Sequence, residues 1–185
     1  MFFIFRSNLT TSDISQIPIL GGLATAYAIE YVCNISPKLK WPNDIWVDQA
    51  KIAGILIETS YNIEMPEWFI LGIGINVNCT PTEVTNPSYG VSCLADIIGY
   101  KIDRVDLLQQ LVHNVGLLYN KLGKCSITEE WEERMLWKGQ HIEVVDSGNN
   151  PIEGIALGIA TNGALLIQLS NGDRDRVYSG EIRLK

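Results

Sequence analysis

Metal-binding spacing is missing from this sequence. Its two histidines and four cysteines (Cys33, Cys79, Cys93 and Cys125) are scattered, and no CxxC pair occurs. Zinc frameworks are thereby excluded, and reduced thiols are favoured over a disulfide scaffold. Basic charge is also scarce. Fourteen Lys and Arg stand against 21 Asp and Glu, for a net charge of −7. Sequence-independent nucleic-acid binding needs a basic face, so no nucleic-acid partner is expected. No apolar run is long enough to span a bilayer, and no basic amphipathic stretch suits a membrane surface. The apolar start, Met1 to Phe5, is too short for a signal-peptide core and is ended by Arg6. A cytoplasmic protein without a membrane partner is the expectation. Nucleophilic catalysis lacks its Gly-x-Ser-x-Gly elbow. Gly72-Ile73-Gly74 lacks the third glycine and the following helix of a dinucleotide fingerprint.

What is present is a core-forming hydrophobic fraction of 46% in 185 residues, enough for one medium domain or a domain with an appendage. Phe2 to Phe5 reads as a buried strand. Thr10 to Asp13 offers helix caps, Pro18 fits a first turn, and Leu20, Ala24, Tyr27, Ala28 and Tyr31 recur at helical spacing. Gly21-Gly22 inside that helix predicts close packing. Lys40 to Val47 reads as extended with a kink at Pro42, and Lys51 to Thr59 as the return strand of a hairpin. Tyr61 to Glu67 reads as a polar loop, and Trp68 to Val77 as a strand buried on both faces. Thr80 to Gly90 reads as a loop. Asp103 to Leu122 is an amphipathic helix, and Ser126-Ile127-Thr128-Glu129 fits a capping box. Beyond Trp137 there are only short strands, punctuated by Asn162-Gly163 and Asn171-Gly172, which predicts a small barrel.

The densest chemistry lies in Lys40-Trp41-Pro42-Asn43-Asp44-Ile45, followed after a short turn by Lys51-Ile52-Ala53-Gly54-Ile55-Leu56-Ile57-Glu58. A lysine at the mouth of an apolar strand, near an Asn–Asp pair and a glycine that leaves backbone exposed, suits an anionic ligand such as a nucleotide phosphate. Taken singly, Lys51 also reads as a solvated strand end, Asn76 as a strand-end turn cap, and Gly54 and Gly72 as tight strand packing.

Together these residues resemble the central signature of biotin–protein ligases. Gly72-Ile73-Gly74-Ile75-Asn76 resembles that family's Gly-x-Gly-x-Asn strand end, and Ser179-Gly180-Glu181-Ile182-Arg183-Leu184 resembles the close of its terminal domain. The resemblance implies an α/β fold: a mixed β-sheet with packed helices, of the class II aminoacyl-tRNA synthetase/biotin ligase type, plus a small SH3-like β-barrel. The implied domains are residues 1–137 and 138–185. The implied activity is biotin–carrier ligation, in which ATP activates biotin to biotinyl-5′-AMP before transfer to a carrier lysine. Lys51 is then the catalytic cation, bridging the biotin carboxylate and the α-phosphate. Asn43, Asp44 and Asn76 join Lys51 in holding ATP, with Asp44 and Asn76 reached by Mg²⁺. Gly54, Leu56, Gly72 and Ile75 line the biotin pocket beside Lys51, while Glu181 and Lys185 approach the nucleotide from across the cleft. The implied partner is the biotin carboxyl carrier domain of a carboxylase, and a homodimer stays open. Two alternatives are a lipoate or octanoate ligase of the same fold, and a non-catalytic binding or regulatory module. Members of the family carry a Gly-Arg-Gly-Arg-x-Gly-Arg-like loop upstream of the strand that matches Phe2 to Phe5. That loop is not found here, so the expectation is an amino-terminally truncated catalytic domain.

Overall fold

The protein is described by a computed structural model covering residues 1–6, 9–10, 14–62, 65–79, 90–122, 127–145 and 151–185. Its first sheet is built from β1 (Phe2–Arg6), β2 (Lys38–Lys40), β3 (Asp44–Val47), β4 (Ala50–Asn62), β5 (Met65–Ile75) and β6 (Gly90–Val91). The order is β1-β5-β4-β3-β2, all antiparallel, and β6 adds the parallel pairing to β4 that makes the sheet mixed. Helices α1 (Ile17–Cys33), α2 (Leu94–Ile98), α3 (Arg104–Tyr119) and α4 (Ile127–Glu132) complete this part.

Helix α1 is apolar nearly all round, which is the pattern of a helix enclosed on every side. The sheet covers one side of it, and α3 and α4 cover the others. The two glycines set the separation. A Cβ on Gly21 would lie 2.9 Å from Leu71 and 3.1 Å from Ile55, while one on Gly22 would lie 3.2 Å from the Trp131 indole. Leu20, Leu23 and Ile29 are fully buried, each contributing roughly 1.5–3 kcal/mol of apolar burial. Its N-cap position is Gln16, which makes no side-chain cap hydrogen bond, and of the expected caps residues 11–13 lie outside the described residues. Asn34, in the left-handed region at φ 53°, ends it. On α3, the Asp103 carboxylate accepts from the Val105 N–H at 2.7 Å. Leu107, Leu111, Val115 and Leu118 form its buried stripe, whereas Leu108 faces out. Ser126, the expected cap of α4, is outside the described residues.

Three readings need correction. β1 and β5 are not buried on both faces. Phe3, Phe5, Phe69, Leu71 and Ile73 face the helices, while Phe2, Ile4, Ile70, Gly72 and Gly74 face away. The open face carries apolar side chains and glycines rather than polar groups, so burial alternates, save at Gly72 beneath the Phe2 ring, although polarity does not. Lys40 to Val47 is not one kinked strand either. The chain reverses at residues 41–43, through a cis Trp41–Pro42 peptide, so that β2 and β3 pair antiparallel with Lys40 opposite Asp44. The strand β4 also runs to Asn62 and β5 begins at Met65, where a polar loop was expected.

The second sheet contains β7 (His141–Val145), β8 (Ile152–Ile159), β9 (Leu165–Gln168), β10 (Arg174–Val177) and β11 (Glu181–Leu184), in the order β10-β9-β8-β7-β11. It is the expected run of short antiparallel strands, with Gly163 and Gly172 at φ 81° and 89° in the predicted turns. No ladder joins the end strands β10 and β11 among the described residues. The hairpin tip at Gly163 rests against the start of α1, near the Ser15 carbonyl and Ile19.

Candidate active site

The open face of the first sheet is arranged in rows by register. One row runs Lys40, Asp44, Gly54, Gly74 across β2, β3, β4 and β5. The next runs Leu56, Gly72, Phe2 across β4, β5 and β1. Above them lies a cavity of about 440 Å³, lined by Asn43, Asp44, Lys51, Gly54, Leu56, Gly72, Gly74, Phe2 and neighbouring backbone. Three glycines where a pleated strand would place side chains make the floor shallow, and Leu56 and Phe2 make it apolar.

The charged end of the cavity is Lys51 and Asp44, whose Nζ and Oδ1 are 2.5 Å apart. A register shift in the β3–β4 ladder between Ile45 and Trp46 brings the Lys51 side chain over Asp44. Gly54 makes room for both: its missing Cβ would sit 3.5 Å from the Lys51 Nζ and 3.6 Å from the Asp44 Oδ1. Asn43 is held by its own strand partner. Its Nδ2 donates to the Ile55 carbonyl at 2.8 Å, and the Ile55 N–H donates back to the Asn43 carbonyl. The arrangement places an ammonium beside an apolar floor, with a carboxylate to steady it. Such a site can take an acyl chain with a carboxylate at one end and a phosphate at the other.

Of the residues singled out from the sequence, Lys51, Asn43, Asp44, Gly54, Leu56 and Gly72 are brought together around this cavity. Ile75 is not. It pairs with Ala53 on the helix side of the sheet and packs against the core, because it is three residues from Gly72 on a period of two. Asn76 lies past the end of β5. Its Nδ2 donates to the Ser92 carbonyl at 3.1 Å, and its carbonyl accepts from the Leu94 N–H at the start of α2. Gly72 faces the cavity, but its nearest neighbour is the Phe2 ring, 3.1 Å from where a Cβ would stand. Phe2, 73% exposed, was missed because its strand read as core. Lys185 does not approach this site. It pairs with Glu143 and Glu153 at 3.1 and 2.9 Å within the second sheet. Glu181 instead reaches the Lys40 ammonium at 3.6 Å.

The first half of the signature thus turns toward the second sheet. Besides the Lys40–Glu181 pair, the Trp41 Nε1–H donates to the Gly163 carbonyl at 3.0 Å. Lys40 is 2% exposed, and burial pulls its pKa below the usual lysine value while Glu181 and Asp44 push it back up. Among the described residues, no cluster of three or more His, Cys, Asp or Glu could hold a metal ion, and no helix is long and apolar enough to cross a membrane.

A two-part α/β protein with an apolar, glycine-floored cavity ending in an ammonium is suited to a small ligand with an apolar chain and an anionic end. Residues 2–76 match the Biotin/lipoate A/B protein ligase family, and residues 139–185 match the Biotin protein ligase C terminal domain. The chain belongs to this ligase family. It is 30% identical over 188 residues to the bifunctional ligase/repressor BirA of Bacillus subtilis, an alignment that takes in all of this chain and 57% of that relative. It is 26% identical over 168 residues to the biotin–[acetyl-CoA-carboxylase] ligase of Mycobacterium tuberculosis, covering 88% of this chain and 59% of that one. The chain therefore spans less than two thirds of these curated relatives. Among solved structures, biotin protein ligase from Aquifex aeolicus in complex with biotin and ATP superposes with a TM-score of 0.78 at 29% identity, covering 100% of this chain and 77% of that one.

Proposed function

We propose that this protein activates biotin with ATP to biotinyl-5′-AMP and passes the biotinyl group to a lysine of a biotin carboxyl carrier domain. The observation that carries the reading is the Lys51–Asp44 pair at the rim of the apolar floor formed by Gly54, Leu56 and Gly72. The Aquifex aeolicus ligase, which superposes over the whole chain, was solved with biotin and ATP.

In the first step a biotin carboxylate oxygen attacks the α-phosphorus, the acyl–O–P bond forms, and the bond to pyrophosphate breaks. Lys51 lies between two anions that repel one another and offsets the charge that grows on the phosphoryl oxygens. Asp44 keeps the ammonium aimed, and the apolar floor keeps water from the acyl chain. In the second step the carrier amine attacks the acyl carbon, AMP leaves, and the amine's proton passes to solvent. Asp44 is the carboxylate on the cavity wall, and one carboxylate with substrate phosphates fits what Mg²⁺ asks for. The ion would arrive with the nucleotide, held by Asp44. Asn76 is engaged with Ser92, so its part in nucleotide binding is indirect, through the corner between β5 and α2. The buried Cys33 and Cys93 thiols suit a reducing, cytoplasmic setting. The edge strand β1, with Phe2 and Ile4 exposed, is where a second copy would pair.

The test is biotin-dependent exchange of pyrophosphate into ATP. Lys51→Ala should lower it by at least ~100-fold, the scale of one preorganised electrostatic contact. Exchange unchanged by that substitution would refute the assignment. The matched family is named for lipoate as well as biotin. Calorimetry with biotin, lipoate and ATP separates a lipoate ligase, which prefers lipoate, from a binding module, which takes a ligand and exchanges no pyrophosphate.

A further inference from the structure

Lys40 is the one buried charged residue among those described, and it does not line the cavity. Its ammonium sits between two indoles, 5.2 Å from the Trp46 ring centre and 5.4 Å from that of Trp137, with the Glu181 carboxylate at 3.6 Å. The two rings meet edge to face at 6.0 Å. This enclosure is assembled from three separate parts of the chain: the β2–β3 hairpin, the segment leaving α4, and β11. Trp137 holds its place at φ 63°, a left-handed conformation that costs a bulky residue energy and persists only where the surroundings impose it. The surroundings are evident, because the neighbouring Leu136 N–H donates to the Leu39 carbonyl and the Leu39 N–H to the Arg134 carbonyl.

On its other side Lys40 stands opposite Asp44 in the β2–β3 ladder, and Asp44 in turn holds Lys51. Four charges therefore alternate from the second sheet to the cavity: Glu181, Lys40, Asp44, Lys51. Asp44 favours the charged form of Lys40 and Lys51 disfavours it, so these groups act on one another electrostatically. A methionine would fill the space between two indoles without the desolvation cost of an ammonium. The charge at this position is explained by what it does to its neighbours.

We propose that Lys40 is a positioning residue through which docking of the second sheet, by Glu181 and against Trp137 of the segment leaving α4, fixes Asp44 and so aims Lys51 into the cavity. The proposal rests on the reading of Lys51 as the activating cation. It assigns the signature lysine and the last strand of the chain to one device, acting on the site without touching substrate.

The test is the double variant Lys40→Met with Glu181→Gln, made in the full chain. Methionine removes the desolvation cost of the buried Lys40 ammonium, and Glu181 is exposed enough for glutamine to stay hydrated, so the melting temperature should hold or rise. Biotin-dependent pyrophosphate exchange should nevertheless fall about tenfold or more, and amide hydrogen exchange across residues 44–54 should quicken while that of α1 is unchanged. Unaltered protection of residues 44–54 overturns the proposal. So does a lowered melting temperature with faster exchange throughout, which would make Lys40 a support of the fold alone. If the unsubstituted protein exchanges no pyrophosphate, the assignment of Lys51 fails, and the hydrogen-exchange comparison still decides whether Lys40 and Glu181 order the Asp44–Lys51 arm.

Discussion

Replacing Gly54 by alanine separates folding from binding. The added methyl would stand 3.5 Å from the Lys51 Cε and Nζ and 3.6 Å from the Asp44 Oδ1, all ordinary van der Waals distances. Gly54 is also absent from the glycines with positive φ, so its backbone conformation is open to any residue. Gly→Ala at a compatible position stabilises by about 0.4–1 kcal/mol, mainly through the unfolded chain. Gly54→Ala should accordingly unfold at equal or higher urea concentration than the parent protein. Binding should move the other way. The methyl rises from the floor between Lys51 and Gly74, where a ligand's carboxylate end must lie flat. Overpacking of a fitted site costs about 1–3 kcal/mol, or roughly 5- to 140-fold in affinity at ~1.4 kcal/mol per tenfold. Urea unfolding and calorimetric titration with biotin measure the two halves. A variant that loses stability, or that binds biotin as tightly as the parent, would show that Gly54 serves strand packing rather than a ligand.

Tyr27→Phe removes a phenol that donates to Glu130, at a cost of about 1 kcal/mol near neutrality. Burial first, and then Glu130, push the Tyr27 pKa well above its ordinary 10.0. The folded protein therefore keeps a proton that the unfolded chain releases above pH 10, and stability falls as pH climbs past that value. In thermal melts the Phe variant should show a shallower alkaline decline. Trp41→Phe deletes the donor to the Gly163 carbonyl and trims a buried side chain, so it should lower stability by roughly 1–3 kcal/mol, read by urea unfolding. Gly158→Ala would drive a Cβ to 2.4 Å from the Glu132 Oε1, at φ 153°. The carboxylate that accepts from the Ile159 N–H and pairs with Lys138 must then move, and a loss of ~1–3 kcal/mol is expected. An unchanged melting temperature would contradict that geometry.

The sequence alone disclosed α1, α3 and α4, though not the short α2, as well as the β4 strand with Lys51 at its mouth and the turns at Asn162-Gly163 and Asn171-Gly172. Each is written in local signals: a 3.6-residue period, an N-cap, or a residue pair that tolerates positive φ. It also disclosed most of the cavity, because Asn43, Asp44, Lys51, Gly54 and Leu56 lie within one hairpin, and the pairing of that hairpin is set by its own short turn. Gly21-Gly22 foretold close packing, though not that Leu71 and Trp131 would be the neighbours. What the sequence misjudged is face and distance. Phe2 and Ile70 read as core because hydrophobicity does not say which side of a sheet a helix will cover, and Ile75 read as pocket because the motif conceals the two-residue period that turns it away. The contacts from Lys40 to Glu181 and from Trp41 to Gly163 join residues more than a hundred positions apart, which no local pattern encodes. Only the docking of the second sheet against the start of α1 and the β2–β3 hairpin makes the first half of the signature a junction and leaves the second half to face the ligand.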